Sequence, residues 1–159
     1  MLSSSLERYA VLQPMEQFEQ FAARLVGHRV SYTRLAGNSL LIYVDCKPGD
    51  SEGLIFWFEP TWHLGSSRGV LLGSRQAEVE DKESHTRVAE PLHQLRSKTV
   101  EKLSIEEFTF DLHVFLEGGY WIKTFVSDPA DDESWHITDN ASKLCLRASP
   151  SGLRIEGVE

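Results

Sequence analysis

The order of apolar and polar residues predicts two helices, each followed by a series of short strands. In residues 14–27, PMEQFEQFAARLVG, apolar positions recur at the spacing of a buried helix face. These positions are Phe18, Phe21, Ala22 and Leu25. A shorter helix is predicted over residues 90–97, EPLHQLRS, because Pro91 suits a first helical turn and Leu92 and Leu95 share one face.

After each helix, alternation of side chains predicts an antiparallel meander. In residues 109–115, TFDLHVF, apolar residues alternate with Asp111 and His113, so one face of this strand meets water. In residues 39–45, SLLIYVD, apolar residues fill both sets of positions, so both faces are expected to be covered. The other predicted strands are 29–35, 53–59, 69–74, 99–105, 120–126, 143–148 and 152–157, with short strands beginning at Trp62 and Trp135.

The two halves of the chain resemble each other, which predicts an internal duplication. Apolar residues align in order: Leu25 with Leu95, Val30 with Val100, Leu40 with Phe110, Ile42 with Leu112, and Val44 with Val114. Residues 54–58, LIFWF, then align with residues 121–125, WIKTF. Finally, TWHLG at 61–65 aligns with SWHIT at 134–138. The halves differ in two loop lengths, at 45–53 and at 126–134, while the order of elements is kept.

The predicted fold is therefore α+β and β-rich. It consists of two helix-plus-antiparallel-meander units, about 14–74 and 86–157, related by a pseudo-twofold axis. The charged segment 75–85 is interpreted as an exposed linker. Half of this chain buries too little surface to fold alone, so residues 1–159 are expected to form a single domain with one shared core. Trp62 and Trp135 are expected to be structural residues of that core.

The net charge and the lengths of the apolar runs limit the kinds of molecule that this chain is expected to bind. The formal net charge is −8, which disfavours nucleic acid and would attract a basic protein. No apolar run approaches the roughly 20 residues that a bilayer requires, and no export signal is recognised, so membrane partners are not expected and the predicted location is cytoplasmic. Cys46 and Cys145 lack CxxC spacing, which leaves open whether they are free thiols or one disulfide.

Catalytic and cofactor motifs are absent from the sequence pattern. There is no nucleophile elbow, phosphate-binding loop or dinucleotide fingerprint, so no cofactor is expected and the protein is not expected to be an enzyme. His63 and His136 are weak candidates for a metal site if the pseudo-twofold axis brings them together. The favoured interpretation is that each lies at a half-exposed strand edge, because zinc requires three or four ligands.

Two features suggest a binding surface. The segment SDPADDESW contains Asp131, Asp132 and Glu133, which form either a solvated loop or an anionic rim for a basic protein. Trp57 and Trp121 lie in the third strands, and tryptophan is enriched at interface hot spots. The run LIFWF indicates a central strand or, alternatively, a strand whose outer face receives a partner.

The motifs FEPTWHL, GVLLGS and DDESWHI resemble those of a loose family of small uncharacterised bacterial proteins. Members carry Trp-[Arg/His]-Leu followed by Gly-Ser, and later Glu-x-Trp-x-[Leu/Ile]; residues 133–137 match the second motif. His63 stands where the family often has arginine, and Pro60 is separated from Trp62 where the family often has the two adjacent. The resemblance spans about residues 18–157 and implies an immunity or accessory protein of bacterial conflict systems, with no catalytic residues.

The leading hypothesis is thus a non-enzymatic protein-binding module of the immunity type, which neutralises a basic toxin. A second hypothesis is a small-ligand or metal-binding module at the interface of the two repeats, near His63 and His136. A carboxylate-based enzyme is the least favoured hypothesis. Homodimerisation through a sheet edge or through the LIFWF face is compatible with all three.

Overall fold

The computed structural model describes residues 14–126 and 133–158. Its α-helices are α1 (Pro14–Leu25) and α2 (Lys82–Ala89), and 3₁₀ turns span Ser74–Ala77, Glu90–Leu95 and Glu117–Gly119. The strands are β1 (Val30–Ala36), β2 (Ser39–Val44), β3 (Leu54–Phe58), β4 (Trp62–Ser66), β5 (Gly69–Gly73), β6 (Val100–Ile105), β7 (Leu112–Leu116), β8 (Tyr120–Thr124), β9 (Trp135–Asp139), β10 (Leu144–Ser149) and β11 (Gly152–Gly157). Neither described α-helix has the length and apolar character needed to cross a bilayer.

The strands form two antiparallel sheets, and each sheet contains strands from both halves. The larger sheet has the order β1-β2-β3-β9-β10-β11, and the smaller sheet has the order β5-β4-β8-β7-β6. The three-stranded meander of one repeat therefore pairs with the terminal strands of the other repeat. In this exchange β3 pairs with β9, and β8 pairs with β4, so each repeat completes a hydrogen-bonded edge of the other.

A pseudo-twofold axis passes between Arg29 and Thr99, which form an isolated antiparallel bridge. Four backbone hydrogen bonds flank this bridge in two matched pairs. They run from Gly27 N to Val100 O (2.8 Å) and from Ser97 N to Val30 O (2.7 Å), then from Val30 N to Lys98 O (2.9 Å) and from Val100 N to His28 O (2.8 Å). In each pair, the donor and acceptor of one bond are the residues equivalent to the donor and acceptor of the other bond in the opposite repeat. Such reciprocal bonds are expected on either side of a two-fold axis.

The repeated Trp-His motif has an architectural explanation. Trp62 and Trp135 are both fully buried in the shared core. The indole Nε1–H of Trp62 donates to the carbonyl of Asn38 at 2.8 Å, and that of Trp135 donates to the carbonyl of Phe110 at 2.7 Å. Asn38 and Phe110 occupy the turns that precede β2 and β7, so each indole fixes the same turn in its own repeat. The predicted β-rich α+β fold of two units around one core is confirmed.

The strand ladders correct the alignment of the third strands. Phe56 lies opposite Ile137, and Ile122 lies opposite Leu64, so Phe56 and Ile122 are the equivalent residues. The sequence alignment instead paired Phe56 with Lys123, one position further on. A slip of one residue exchanges the two faces of a strand, and it therefore assigns the wrong counterpart to every outward side chain.

The second strands are misaligned by two residues. Ile42 lies opposite Phe56, and Val114 lies opposite Ile122, so Ile42 corresponds to Val114 and not to Leu112. A shift of two positions preserves the alternation of inward and outward residues. Periodicity therefore could not reveal this error, which only the register of the sheet resolves.

One hydrophobic cluster fills the space between the sheets and includes residues of both helical segments. Phe21, Leu25 and Leu95 are fully buried there, and Leu92 is nearly so. The segment 75–85 is mostly exposed, as expected for a linker, but it also contains the start of α2, which was not predicted. The helix predicted over residues 90–97 is instead the 3₁₀ turn Glu90–Leu95, which follows α2 directly and still buries Leu92 and Leu95. Asp81 caps this helix by accepting a hydrogen bond from the Ser84 amide at 2.8 Å.

Candidate functional site

The outward side of the larger sheet carries a second apolar cluster, separate from the core. We call it the Trp57 face, and it consists of Tyr32, Ala36, Leu41, Tyr43, Cys46, Ile55 and Trp57. Strand alternation places these residues opposite the core-facing positions of β1, β2 and β3. The buried helical side chains belong to the core cluster on the other side of the sheet. On the Trp57 face, Leu41, Tyr43 and Cys46 are buried, whereas Tyr32, Ala36, Ile55 and Trp57 remain partly exposed.

Trp57 is held in a defined orientation near the middle of this sheet. Its ring stacks on the His136 ring of the neighbouring strand, with centroids 5.6 Å apart and planes inclined by 15°. Its Nε1–H donates to Glu59 Oε1 at 2.6 Å. Glu59 is oriented in turn by Ser39, whose Oγ donates to Oε2 at 3.0 Å. These contacts fix the indole before any partner arrives, which lowers the entropy cost of using it in binding.

A charged network continues the same face across β9, β10 and β11. Glu133 Oε1 lies 3.1 Å from His136 Nδ1 and forms an ion pair with Arg147. Arg147 Nε lies 2.8 Å from Glu156 Oε2, and Glu156 Oε1 accepts from Arg154 Nε at 2.9 Å. Burial alone would raise the pKa of Glu133, but His136 and Arg147 together hold it below its ordinary value.

This network changes the expected role of the acidic segment. Asp131 and Asp132 lie outside the described residues. Glu133 lies on the same side of the sheet as Trp57, as the hypothesis of an acidic rim requires. However, its charge is matched within the chain by Arg147, so it does not present a free carboxylate to a partner.

Trp121 does not belong to the same site as Trp57. It lies on β8, on the outward side of the smaller sheet, whereas Trp57 lies on the outward side of the larger one. Its ring rests on Gly65, where an added Cβ would approach Trp121 Cζ2 to 2.1 Å, and its Nε1–H donates to Ser66 O at 3.1 Å. Trp121 therefore covers the backbone of β4 rather than forming a shared hot spot with Trp57.

His63 and His136 do not converge. Each follows a core tryptophan, and alternation along the strand turns it away from the shared core. His63 contacts Phe125 on the smaller sheet, with ring centroids 4.7 Å apart, whereas His136 stacks on Trp57 of the larger sheet. Within residues 14–126 and 133–158, no group of three or more histidine, cysteine, aspartate or glutamate side chains is arranged to hold a metal ion.

The two cysteines are buried free thiols. Burial, with the nearby Asp50 carboxylate, raises the pKa of Cys46 to about 11. Burial also raises the pKa of Cys145. Both side chains are therefore protonated at neutral pH, and a protonated thiol is a poor nucleophile.

Glu59 is the residue that sequence reasoning missed. It contacts Trp57 and Ser39, and it forms no ion pair with another residue of the described part of the chain. A signal was present, because residues two apart in an extended segment share a face and Trp57 and Glu59 have that spacing. The spacing alone did not distinguish this acid from the many other carboxylates.

No family model, curated protein or solved structure matches the chain. The resemblance to immunity-like bacterial proteins remains a prediction.

Proposed function

We propose that this chain is a non-enzymatic binding protein of the immunity type, which acts in the cytoplasm and docks a basic partner protein on the Trp57 face. The observation that carries the proposal is a pre-oriented, partly exposed tryptophan at the surface of an apolar cluster on the outward side of the larger sheet. Apolar surface held outside the core costs solvation free energy, and a partner that excludes water from it recovers that free energy. A rigid, partly exposed indole is a common anchor of protein interfaces.

Glu59 supports a basic partner in particular. Its two oxygens accept hydrogen bonds from Trp57 and Ser39, and a carboxylate has further lone pairs available. An arginine or lysine of the partner could pair with Glu59 as the neighbouring apolar cluster becomes covered. Charge-assisted hydrogen bonds of this kind, formed away from water, are stronger than those between neutral groups.

The net charge of −8 adds a long-range component. An acidic protein attracts a basic partner during diffusion and accelerates the encounter, and this acceleration falls as salt is added. Local recognition by Trp57 and Glu59 would then decide how long the complex lasts. The overall charge is therefore expected to set mainly the rate at which the complex forms, and the Trp57 face mainly the rate at which it dissociates.

The test is affinity capture from the source cell with four purified forms of the chain, quantified by mass spectrometry. These are the natural chain, Trp57→Ala, Glu59→Gln and the control Phe108→Ala. Phe108 is 81% exposed in the turn between β6 and β7, away from the Trp57 face, so it matches Trp57 in removing an aromatic ring. Circular dichroism establishes that each form is folded.

We expect one basic protein to be captured by the natural chain and by Phe108→Ala. Trp57→Ala is expected to reduce its recovery roughly tenfold or more, as for an interface anchor. Glu59→Gln is expected to reduce recovery less, and the reduction should be smaller at high salt. Equal capture of the basic protein by Trp57→Ala and the natural chain would refute the proposed face.

A further inference from the structure

The two sheets differ by one strand, although the repeats that build them are otherwise matched. In the larger sheet, β11 pairs with the outer side of β10. In the smaller sheet, β5 occupies the place of β10 and is the last strand. After β5 the chain turns away into the 3₁₀ turn Ser74–Ala77. Within residues 14–126 and 133–158, no strand fills the position beside β5 that corresponds to β11.

The ladder between β10 and β11 shows how a strand fits at this position. β11 runs antiparallel to β10, from Leu144 opposite Gly157 to Ser149 opposite Gly152. The equivalence of the two edges follows from their inner partners. Gly65 and Thr138 are counterparts, and they lie opposite Val70 and Cys145 respectively. Val70 is thus the counterpart of Cys145.

The missing strand leaves apolar side chains exposed. Cys145 is fully buried, whereas Val70 is 57% exposed and the adjacent Leu71 is 40% exposed. Exposed edge strands usually carry charged residues or proline, because a bare apolar edge promotes pairing with other chains. In β5, GVLLG, neither type of residue is present. The edge thus has the properties of a surface on which an extended segment can pair.

The chain limits the length of this edge. The Gly73 amide donates to Gln76 Oε1 at 2.9 Å, so a side chain already serves the backbone at that end. A β-bulge between Leu64 and Gly65 also shortens the regular part of the ladder. The available edge is therefore a segment of about four residues, 69–72, which suits a short extended peptide rather than a long strand.

Charge at the ends of β5 indicates what kind of segment fits. Arg68 and Arg75 flank the strand, both are exposed, and neither makes an ion pair within the ranges 14–126 and 133–158. If two copies of the chain paired through β5 in antiparallel fashion, the end of the strand next to Arg68 in one copy would lie beside the end next to Arg75 in the other. Like charges placed opposite each other destabilise a strand pair, so a second copy is disfavoured and acidic ends are favoured.

We propose that the edge of β5 binds a short extended segment of a partner protein, apolar in its centre and acidic at its ends, which adds a sixth strand to the smaller sheet. Backbone hydrogen bonds to residues 69–72 supply affinity, as in other cases of strand addition. Val70 and Leu71 lie beside the apolar centre of the segment, and Arg68 and Arg75 pair with its ends. This surface is distinct from the Trp57 face, and its occupancy does not depend on the function proposed there.

The experiment uses the full chain and a blocked six-residue peptide that has aspartate at both ends and alternating valine and threonine between them. Two further peptides serve as probes of mechanism: one carries lysine at both ends, and the other carries N-methyl groups on alternate amides. Hydrogen exchange measured by nuclear magnetic resonance reports protection of each amide in residues 69–72. Titration of the same signals gives the affinity.

We expect the aspartate peptide to slow exchange in residues 69–72, and the lysine peptide to bind roughly tenfold more weakly. The N-methylated peptide is expected not to bind, because it cannot complete the backbone ladder. In the double variant Arg68→Glu with Arg75→Glu, the preference between the two charged peptides should reverse. The matched control, Lys47→Glu with Lys82→Glu, makes the same change in net charge at two exposed positions elsewhere and should keep the original preference.

Three results would overturn the proposal. One is protection that falls outside residues 69–72. Another is equal binding of the aspartate and lysine peptides. The third is protection of these amides that grows with protein concentration and without peptide, which would identify a second copy of the chain as the occupant. None of these results bears on capture of a basic protein by the Trp57 face, so the two proposals can fail separately.

Discussion

Equivalent positions on the two sheets carry different chemistry. On the larger sheet, Trp57 bonds to Glu59 and stacks on His136. Its counterpart on the smaller sheet is Lys123, whose ammonium lies 5.1 Å from the centre of the Phe125 ring. His63, the counterpart of His136, contacts that same ring. One site thus presents an indole beside an acid, whereas the other presents a cation over a phenyl ring.

The difference between the two sheets shows that the duplicated fold restricts the residue type at core positions more than at outward positions. Core pairs remain alike, as in Trp62 with Trp135 and Leu64 with Ile137, because close packing tolerates little change in volume. Outward positions have no such restriction and have diverged. On the smaller sheet, Lys102 and Lys123 also approach the aromatic rings of their own face. On the larger sheet, Arg96 lies 4.8 Å from the centre of the Tyr32 ring, but no cation of the described residues lies over the Trp57 ring, and we therefore place the binding surface there.

The largest effect is expected from the core tryptophans. Trp62→Ala and Trp135→Ala each remove a fully buried indole and the hydrogen bond that fixes a turn. Each substitution should lower the free energy of unfolding by about 3–5 kcal/mol. Urea unfolding measures both, with Phe108→Ala as a control that should have little effect. If one tryptophan proved dispensable while the other was essential, the two repeats would not be energetically equivalent.

A smaller effect on stability is expected at Gly65, where the Trp121 ring packs directly on the strand backbone. Gly65→Ala places a Cβ 2.1 Å from Trp121 Cζ2 and forces the indole off β4, which should cost about 1–3 kcal/mol. The counterpart Thr138 already has a side chain, so Thr138→Ala is expected to cost less than about 1 kcal/mol. Thermal unfolding of both variants measures the difference.

A double variant checks the cause of that cost. In Gly65→Ala with Trp121→Ala the steric conflict is absent, so the combined loss should be smaller than the sum of the two single losses. Additive losses would show that the indole does not depend on Gly65.

The smallest effect is expected in the pH dependence of stability. It arises at His113, whose counterpart on the larger sheet, Leu41, does not titrate. Burial, followed by the charges of Lys123 and Lys102, lowers the pKa of His113, so the folded chain binds a proton less readily than the unfolded chain. Stability is therefore complete above the ordinary histidine value of 6.5 and falls as the pH drops below it. His113→Leu should remove this part of the pH dependence.

Thermal unfolding between pH 8 and pH 5 measures the effect. The midpoint of the natural chain should fall slightly more than that of His113→Leu over this interval. His93→Gln, at an exposed histidine, should retain the behaviour of the natural chain. An unchanged pH dependence in His113→Leu would show that protonation of this ring does not oppose folding.

The sequence alone predicted the first helix, the strands and the internal duplication, but it missed α2 and assigned a helix over residues 90–97 where the structure has the 3₁₀ turn Glu90–Leu95. The predicted segment 39–45 is observed as Ser39–Val44, and the predicted edge strand 152–157 as Gly152–Gly157. Alternation also assigned Trp62 and Trp135 to the core, since inward and outward directions are encoded by a period of two residues. Such information is local, and a single sequence is sufficient to convey it.

Only the tertiary structure decided which residues share a surface that could bind a partner. The exchange of terminal strands between repeats placed Trp57 beside His136 and Glu133, and it placed Trp121 on the other sheet. It also paired Glu133 with Arg147, placed His63 and His136 on different sheets, and left β5 as an edge strand among the strands that the structure describes. These outcomes depend on pairing between distant segments, where several registers satisfy the same apolar pattern and the packing of the whole core selects one.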